Sequence, residues 1–199
     1  MVAIIDYGMG NVASMEKALR FLKIESKITR DHSIIDESDA IILPGVGSFE
    51  QGMENLKNLQ LIDLLNDQIL NKKKKFLGVC LGMQLVMEKG FEPNECKGLG
   101  WIKGEVVKMT PENLSIPHLG WNNIEIKKDQ VLFNDIESLD YYFIHSYKVV
   151  PENKESIVAT VDYGQEITAS MRFENIFTTQ FHPEKSQDSG LKLLKNYLG

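Results

Sequence analysis

FLGVCLGMQ, residues Phe76 to Gln84, begins as a strand and ends as a helix, with the pattern G-x-C-x-G at the junction. An apolar run that turns sharply into a helix is the βα step of an open parallel sheet, and a side chain on such a turn is held in a strained backbone conformation. Gly78 and Gly82, two residues to either side of Cys80, relieve the crowding this creates. The helix that starts at Leu81 aims its free N–H groups and its positive end at the sulfur, which favours the thiolate, the nucleophilic form. The Leu81 N–H is also placed to donate to an oxyanion. A lone cysteine is more often a small buried hydrophobe, but that reading leaves both glycines and the strand-to-helix junction unexplained.

Working outward, the rest of the first half repeats the alternation. Val2 to Asp6 reads as a buried strand, and Val12, Met15, Leu19 and Leu22 then fall on one helical face. Ser26 to Thr29 and Ala40 to Leu43 read as further strands, the latter stopped by Pro44-Gly45. Phe49 to Leu70 reads as helix with a break near Asn58, and Leu81 to Lys89 as helix. Strands separated by helices of this length predict an α/β fold: an open, mostly parallel sheet with flanking helices, flavodoxin-like in type. Beyond Gly100 the runs become short and β-rich: Glu105–Met109, Asn123–Ile126, Tyr141–Ile144, Ser156–Val161, Thr168–Met171 and Ile176–Gln180. Pro, Asn and Gly separate them, which predicts an added antiparallel β portion on one side of the sheet. A last helix, Ser189 to Tyr197, returns to the sheet through Leu191, Leu194 and Leu198. With no repeat, linker or low-complexity tract, residues 1–199 are expected to form a single domain.

The bulk properties narrow the function classes. A net charge of −6 argues against nucleic acid and anionic membrane surfaces as partners. The one basic run, Lys72 to Lys75, reads as a solvated helix end that complements the macrodipole. Two cysteines make no disulfide framework. No leader pattern or apolar run long enough for a membrane span is visible, so a cytoplasmic protein is expected, with any important cysteine acting as a thiol. No His, Cys or carboxylate spacing suits a metal, and no cofactor is expected.

A nucleophilic cysteine needs a base. Among His32, His118, His145 and His182, the last stands in TTQFHPEKS, just past a strand and two residues before Glu184. That carboxylate can accept from one ring nitrogen, fixing the tautomer while the other nitrogen faces sulfur. His32 and His118 read as structural, and Cys96, in EPNECKGLG, as an incidental loop residue. LPGVGSF, Leu43 to Phe49, supplies a strand end whose Gly45-Val46-Gly47 backbone can face a carbonyl oxygen, although a plain turn reads equally well in isolation. Near the N-terminus, Gly8-Met9-Gly10-Asn11-Val12-Ala13 fits a variant of the dinucleotide-binding fingerprint, with Asp31 where an acidic residue would be wanted. Against a nucleotide stand Ala13 in place of the third glycine, and a chain with no room for a second substrate domain. Other rivals are an elbow cysteine serving a different substrate, and a binding module with a silent triad.

GVCLGMQ, LPGVGSF and FHPEKS together resemble the class I glutamine amidotransferases of the Cys-His-Glu type. IDYGMGN, PHLGWN, YYFIHSY and the C-terminal NIFTTQFHPEKSQDSGLKLLKNYL extend the resemblance over the whole chain, toward the glutaminase subunits of imidazole glycerol phosphate synthase. The resemblance implies hydrolysis of L-glutamine to glutamate and ammonia through a thioester, with Cys80 as nucleophile, His182 as proton shuttle and Glu184 orienting it. The oxyanion would lie between the Leu81 N–H and an N–H of Gly45, Val46 or Gly47. Gln84 and the Ser146-Tyr147 backbone match positions that hold glutamine. Ammonia would pass to a (β/α)8-barrel synthase in a heterodimer, with Asn11, Trp121 and Lys185 matching its interface. Two departures, Trp101 for an aliphatic and Lys148 for an aromatic or small residue, leave open a relative that feeds an amino-sugar amidation enzyme of surface-polysaccharide synthesis. In this reading Gly8 and Gly10 bring backbone close to the oxyanion strand and the partner.

Overall fold

The computed structural model describes residues 1–128 and 130–199. Its first half runs β1 (Val2–Ile5), α1 (Val12–Phe21), β2 (Ser26–Thr29), α2 (His32–Glu37), β3 (Ala40–Gly45), α3 (Phe49–Asn58), α4 (Leu61–Asn66), β4 (Lys75–Cys80) and α5 (Leu81–Leu85). The break foreseen near Asn58 is there, at Gln60 in the left-handed region with φ 56°. Helix α2 was not foreseen. Asp31 caps it, its Oδ1 accepting from the Ser33 amide at 2.9 Å, and that is the role of the acid a nucleotide site would have claimed. Two lysines of the Lys72 to Lys75 run serve the same helix: the Lys74 ammonium donates to the Ile35 carbonyl at 3.1 Å and Lys72 pairs with Asp36. Lys73 instead pairs with Glu174, and Lys75 donates to the Tyr197 carbonyl at 3.3 Å.

Two boundaries depart from expectation. Strand β3 continues through Pro44-Gly45 instead of stopping before them, with Pro44 opposite Val79 and Gly45 opposite Cys80. The helix expected over Leu81–Lys89 ends at Leu85. There the amides of Leu99 and Trp101 donate to the Leu85 and Val86 carbonyls, at 2.8 and 2.9 Å. Tertiary pairing takes the acceptors that a continuing helix would have used, and the chain leaves as a strand.

The second half comprises β5 (Met87–Phe91), β6 (Glu95–Lys97), β7 (Ile102–Lys108), β8 (His118–Ile126), β9 (Asp140–His145), β10 (Tyr147–Pro151), β11 (Ile157–Asp162), β12 (Glu166–Phe173), β13 (Ile176–Thr179) and α6 (Gln187–Leu198). The main sheet has the order β2-β1-β3-β4-β13-β12-β11-β8-β9. Its first five strands pair in parallel and the remainder antiparallel. The antiparallel extension is as expected, except that β13 is not wholly part of it: it pairs with β12 on one side and lies parallel to β4 on the other, Phe177 opposite Leu77. A separate sheet, β10-β7-β5-β6, takes up the expected Glu105–Met109 run as far as Lys108, together with Cys96.

Both faces of the parallel strands are covered, which is why they read as continuous apolar runs. Val2, Ile4 and Ile42 point to one face with Met15 and Leu19 of α1. Helix α6 joins them through Leu193, Leu194 and Tyr197, while the expected Leu191 and Leu198 are only half-buried there. Ala3, Ile5 and Ile41 point to the other face, under Phe49, Leu56, Leu61 and Leu65. Trp101, one of the two departures, belongs to this second core: its ring stands edge-on to Phe76 at 4.9 Å and its Nε1 donates to Asn66 at 2.7 Å. The sheet brings the carboxyl ends of β1, β3, β4 and β13 to one edge, where a crevice forms in open α/β folds.

Candidate active site

Cys80 sits at that edge with φ 53° and ψ −103°, a strained conformation for a residue with a Cβ. The flanking glycines are required for steric reasons. A Cβ on Gly82 would stand 1.8 Å from the Leu43 carbonyl oxygen, and one on Gly78 would stand 2.7 Å from the Gly82 carbonyl oxygen. Helix α5 has only five residues, so the dipole expected behind the sulfur is small. What survives is local: Leu81 opens the helix, so its N–H has no acceptor within it.

His182 follows β13 and is fixed by backbone bonds. Its N–H donates to the Tyr142 carbonyl at 2.9 Å, and its carbonyl accepts from the Ser186 hydroxyl at 2.6 Å. The next residues, Pro183–Lys185, form a short turn that brings Glu184 back under the imidazole. Glu184 Oε1 lies 2.7 Å from His182 Nδ1, with both side chains 3% exposed. The Nδ1 proton is thereby fixed, and Nε2, buried without a nitrogen or oxygen partner, is left to the sulfur. Burial acts to lower the His182 pKa, but the negative charge and hydrogen bond of Cys80, with Glu184 behind, outweigh it and push it up to about 10. His182 therefore holds a proton readily beside the sulfur, as the partner of a nucleophilic cysteine must.

The loop after β3 lies beside the nucleophile. Gly45 is so closely packed that a Cβ there would meet the Tyr7 hydroxyl at 2.2 Å and the Leu81 Cβ at 2.9 Å. Gly10 backs the same loop, its absent Cβ pointing at the Gly45 Cα from 2.9 Å. The second glycine of the N-terminal fingerprint is thus a packing device against Gly45, while a Cβ on Gly8 would face the Asn55 side chain at 3.4 Å. A cleft of about 360 Å³ opens over Cys80, lined by Val46, Gly47, Leu81, Gln84, Ser146 and Tyr147 among others. Each of these is a site residue expected from the sequence; Glu92 is not. Among the described residues Glu92 is the one carboxylate lining the cleft; burial pushes its pKa up, and it accepts from the Phe49 amide at 3.0 Å. It comes from a loop that shows no pattern in the sequence. A larger concavity of about 630 Å³ lies elsewhere, beside Trp121, and includes no member of the triad.

His118 and His145 are both buried and bonded in series. Asn122 donates to His118 Nε2 at 3.3 Å, His118 Nδ1 donates to His145 Nε2 at 3.1 Å, and His145 Nδ1 donates to the Tyr147 carbonyl at 2.8 Å. Burial pushes them down, His118 to about 4 and His145 to about 3. Both are neutral, and both ring nitrogens of His145 are already bonded, to His118 and to the Tyr147 carbonyl, which leaves it none to serve Cys80 as base. Among the described residues, no three His, Cys, Asp or Glu side chains converge as a metal site requires, and no helix is long and apolar enough to cross a membrane.

The family sequence model described as Glutamine amidotransferase class-I matches residues 3–198. The chain belongs to that family. Two relatives of this amidotransferase resemble it over nearly their full lengths. Imidazole glycerol phosphate synthase subunit HisH 1 of Campylobacter jejuni (strain RM1221) is 46% identical, covering 100% of the chain and 99% of the relative. The HisH subunit of Aquifex aeolicus (strain VF5) is 44% identical over 98% and 94%. Among solved structures, a glutamine amidotransferase superposes with TM-score 0.77 at 18% identity, covering 99% of each chain. The PurLQS structure from Thermotoga maritima reaches 0.75 at 16% identity over 99% of this chain and 96% of that one, and both share the fold.

The three residues matched to a partner interface are placed as follows. Asn11 caps α1, its Oδ1 accepting from the Ser14 amide at 3.1 Å. Trp121 is 49% exposed and stands edge-on to Tyr142 at 6.2 Å, while the Lys185 ammonium lies 5.7 Å from the Tyr142 ring. Tyr142, which sequence reasoning passed over, joins the other two into one patch. Lys148, the second departure, lies away from it on β10, bonded to Gln165 at 2.5 Å.

Proposed function

We propose that this amidotransferase, acting as one domain over residues 1–199 in the cytoplasm, hydrolyses L-glutamine and hands the ammonia to a synthase subunit that makes imidazole glycerol phosphate in histidine biosynthesis. The observation that carries the reading is the strained elbow at Cys80 facing the buried His182–Glu184 pair. Cys80 attacks the side-chain amide carbon. His182 takes the thiol proton and returns it to the departing ammonia, and Glu184 keeps the ring in the tautomer that does this. Water then cleaves the thioester by the same route in reverse. The Leu81 N–H and an N–H of the Gly45–Gly47 loop receive the oxyanion.

Glutamine fits the cleft chemically. Glu92 supplies a counter-charge for the α-ammonium, and the Ser146-Tyr147 backbone supplies polar groups along its length. Gln84 offers only its oxygen, because its Nε2 already donates to the Tyr147 carbonyl and to Gln180 Oε1, both at 3.2 Å.

The partner is a (β/α)8-barrel synthase, docked on the patch of Trp121, Tyr142 and Lys185 with Asn11 at its rim. Support comes from the synthase-subunit names of the full-length relatives. The amino-sugar alternative loses its sequence argument, since Trp101 is a core residue and Lys148 a small-sheet residue. Mixing the purified chain with each candidate synthase, with glutamine as the only nitrogen source, tests the assignment. Product is expected with the imidazole glycerol phosphate synthase barrel alone. Product only with the amino-sugar enzyme would overturn it.

A further inference from the structure

One buried polar side chain contacts the sulfur and has no part in the triad. Gln180, the last residue before Phe181-His182, is fully buried, and its Nε2 lies 3.6 Å from Cys80 Sγ. Which end of the amide faces sulfur follows from the neighbouring bonds. Gln84 Nε2 is 3.2 Å from the Tyr147 carbonyl, which can only accept, so that end of Gln84 is the NH2. The same NH2 reaches Gln180 Oε1 at 3.2 Å. The oxygen of Gln180 therefore points at Gln84 and its NH2 at the sulfur. The Gln180 backbone is held too, its N–H donating to the Ala169 carbonyl at 2.8 Å.

We propose that Gln180 is a further catalytic residue: its side-chain amide donates a hydrogen bond to Cys80 Sγ that favours the anionic sulfur, and Gln84 is the positioning residue that holds the amide in the donating orientation. This rests on the glutaminase reading above for its place in the reaction. An N–H donor gains most from a thiolate and little from the sulfur of a thioester. It therefore assists twice: when the thiol proton passes to His182 Nε2, and when the thiolate departs as water cleaves the thioester. No proton leaves Gln180 in either step. The other ionisable groups acting on this sulfur are His182, backed by Glu184, and the buried Tyr7 hydroxyl; none of them is altered by changing Gln180.

The test is the pH dependence of Cys80 alkylation by iodoacetamide, read by mass spectrometry on the Cys80 peptide because Cys96 is also a free thiol. No glutamine is involved, so failure here is distinct from failure of the glutaminase assignment. In Gln180→Leu the inflection should rise by about one pH unit, giving alkylation about tenfold slower below it. Gln180→Glu keeps the volume and still accepts from Gln84 but turns an acceptor toward sulfur, so its inflection should rise further. Gln84→Leu, with Gln180 intact, should also raise it. Inflections in folded Gln180 variants within about 0.3 unit of wild type, or a Glu variant at or below the Leu variant, would overturn the proposal. A purely packing role for Gln180 would lower stability in all three without ordering the inflections. If neither Gln180 variant folds, Gln84→Leu decides, and an unmoved inflection there counts against the proposal.

Discussion

Gly10→Ala, set against Gly8→Ala, separates backbone strain from displacement of the oxyanion loop. Both glycines have positive φ, +111° and +79°, so each alanine brings local backbone strain, on the order of 1–3 kcal/mol. That is tolerable within a total stability of about 5–15 kcal/mol. Their surroundings differ. The new Cβ at position 8 would meet only the Asn55 amide nitrogen, at 3.4 Å, an ordinary contact. At position 10 it would stand 2.9 Å from the Gly45 Cα, so reaching 3.4 Å requires the two backbones to separate by 0.5 Å (3.4 − 2.9). Gly45 lies opposite Cys80 in the ladder, and the loop it opens is the one proposed above to supply the second oxyanion donor. Losing one such donor outright costs about 10²–10³ in kcat, so a half-ångström shift should cost about 10–100-fold. The assay is steady-state glutaminase turnover with the partner present and saturating, with the Cys80 alkylation rate as the check on the elbow. Gly8→Ala should stay within about threefold of wild type. Equal losses in the two variants, or wild-type turnover in Gly10→Ala, would refute the packing argument.

Replacing Glu184 by Gln keeps the volume but removes the charge 2.7 Å from His182 Nδ1. The imidazolium should then lose its proton at lower pH, as followed by NMR of the ring, and kcat should fall about 10–100-fold. Acid should destabilise the protein through the neutral histidine pair. Their folded pKa values, about 4 and about 3, lie below that of the unfolded chain, near 6.5. The stability they contribute is therefore present above about pH 6.5 and is lost progressively as pH falls below that, the loss being complete near pH 4 for His118 and near pH 3 for His145. Urea unfolding at pH 7 and 4.5 should show wild type losing about 2 kcal/mol more than His118→Gln across that interval. Gly82→Ala, which would put a Cβ 1.8 Å from the Leu43 oxygen, should cost more than about 4 kcal/mol and fail to yield folded protein. Trp121→Ala, at an exposed position, should leave the melting temperature unchanged yet weaken partner binding by about 2 kcal/mol in calorimetry.

The parallel strands were legible because both their faces are apolar, and the elbow because its glycines stand at fixed offsets from Cys80. The two-residue spacing of His182 and Glu184 was legible for a similar reason, since a short turn can bring adjacent side chains together without help from the rest of the fold. What the sequence concealed depends on contacts distant along the chain. Helix α5 ends at Leu85 because the amides of Leu99 and Trp101 take its carbonyls. Strand β13 lies beside β4 because Phe177 finds Leu77 a hundred residues earlier. Glu92 enters the cleft from a loop without pattern, and Tyr142 becomes part of a patch only once Trp121 and Lys185 flank it. The glycine fingerprint misled for a physical reason: close backbone approach needs glycine whether the neighbour is a phosphate or, as here, Gly45.

The most direct measurement is to quench the protein in acid during turnover of glutamine, with its partner present, and locate the covalent adduct by mass spectrometry. The account predicts a glutamyl thioester on Cys80 alone, with no adduct and no glutamate release in Cys80→Ala. Glutamate release at the wild-type rate from Cys80→Ala, or an adduct on any other residue, would contradict it.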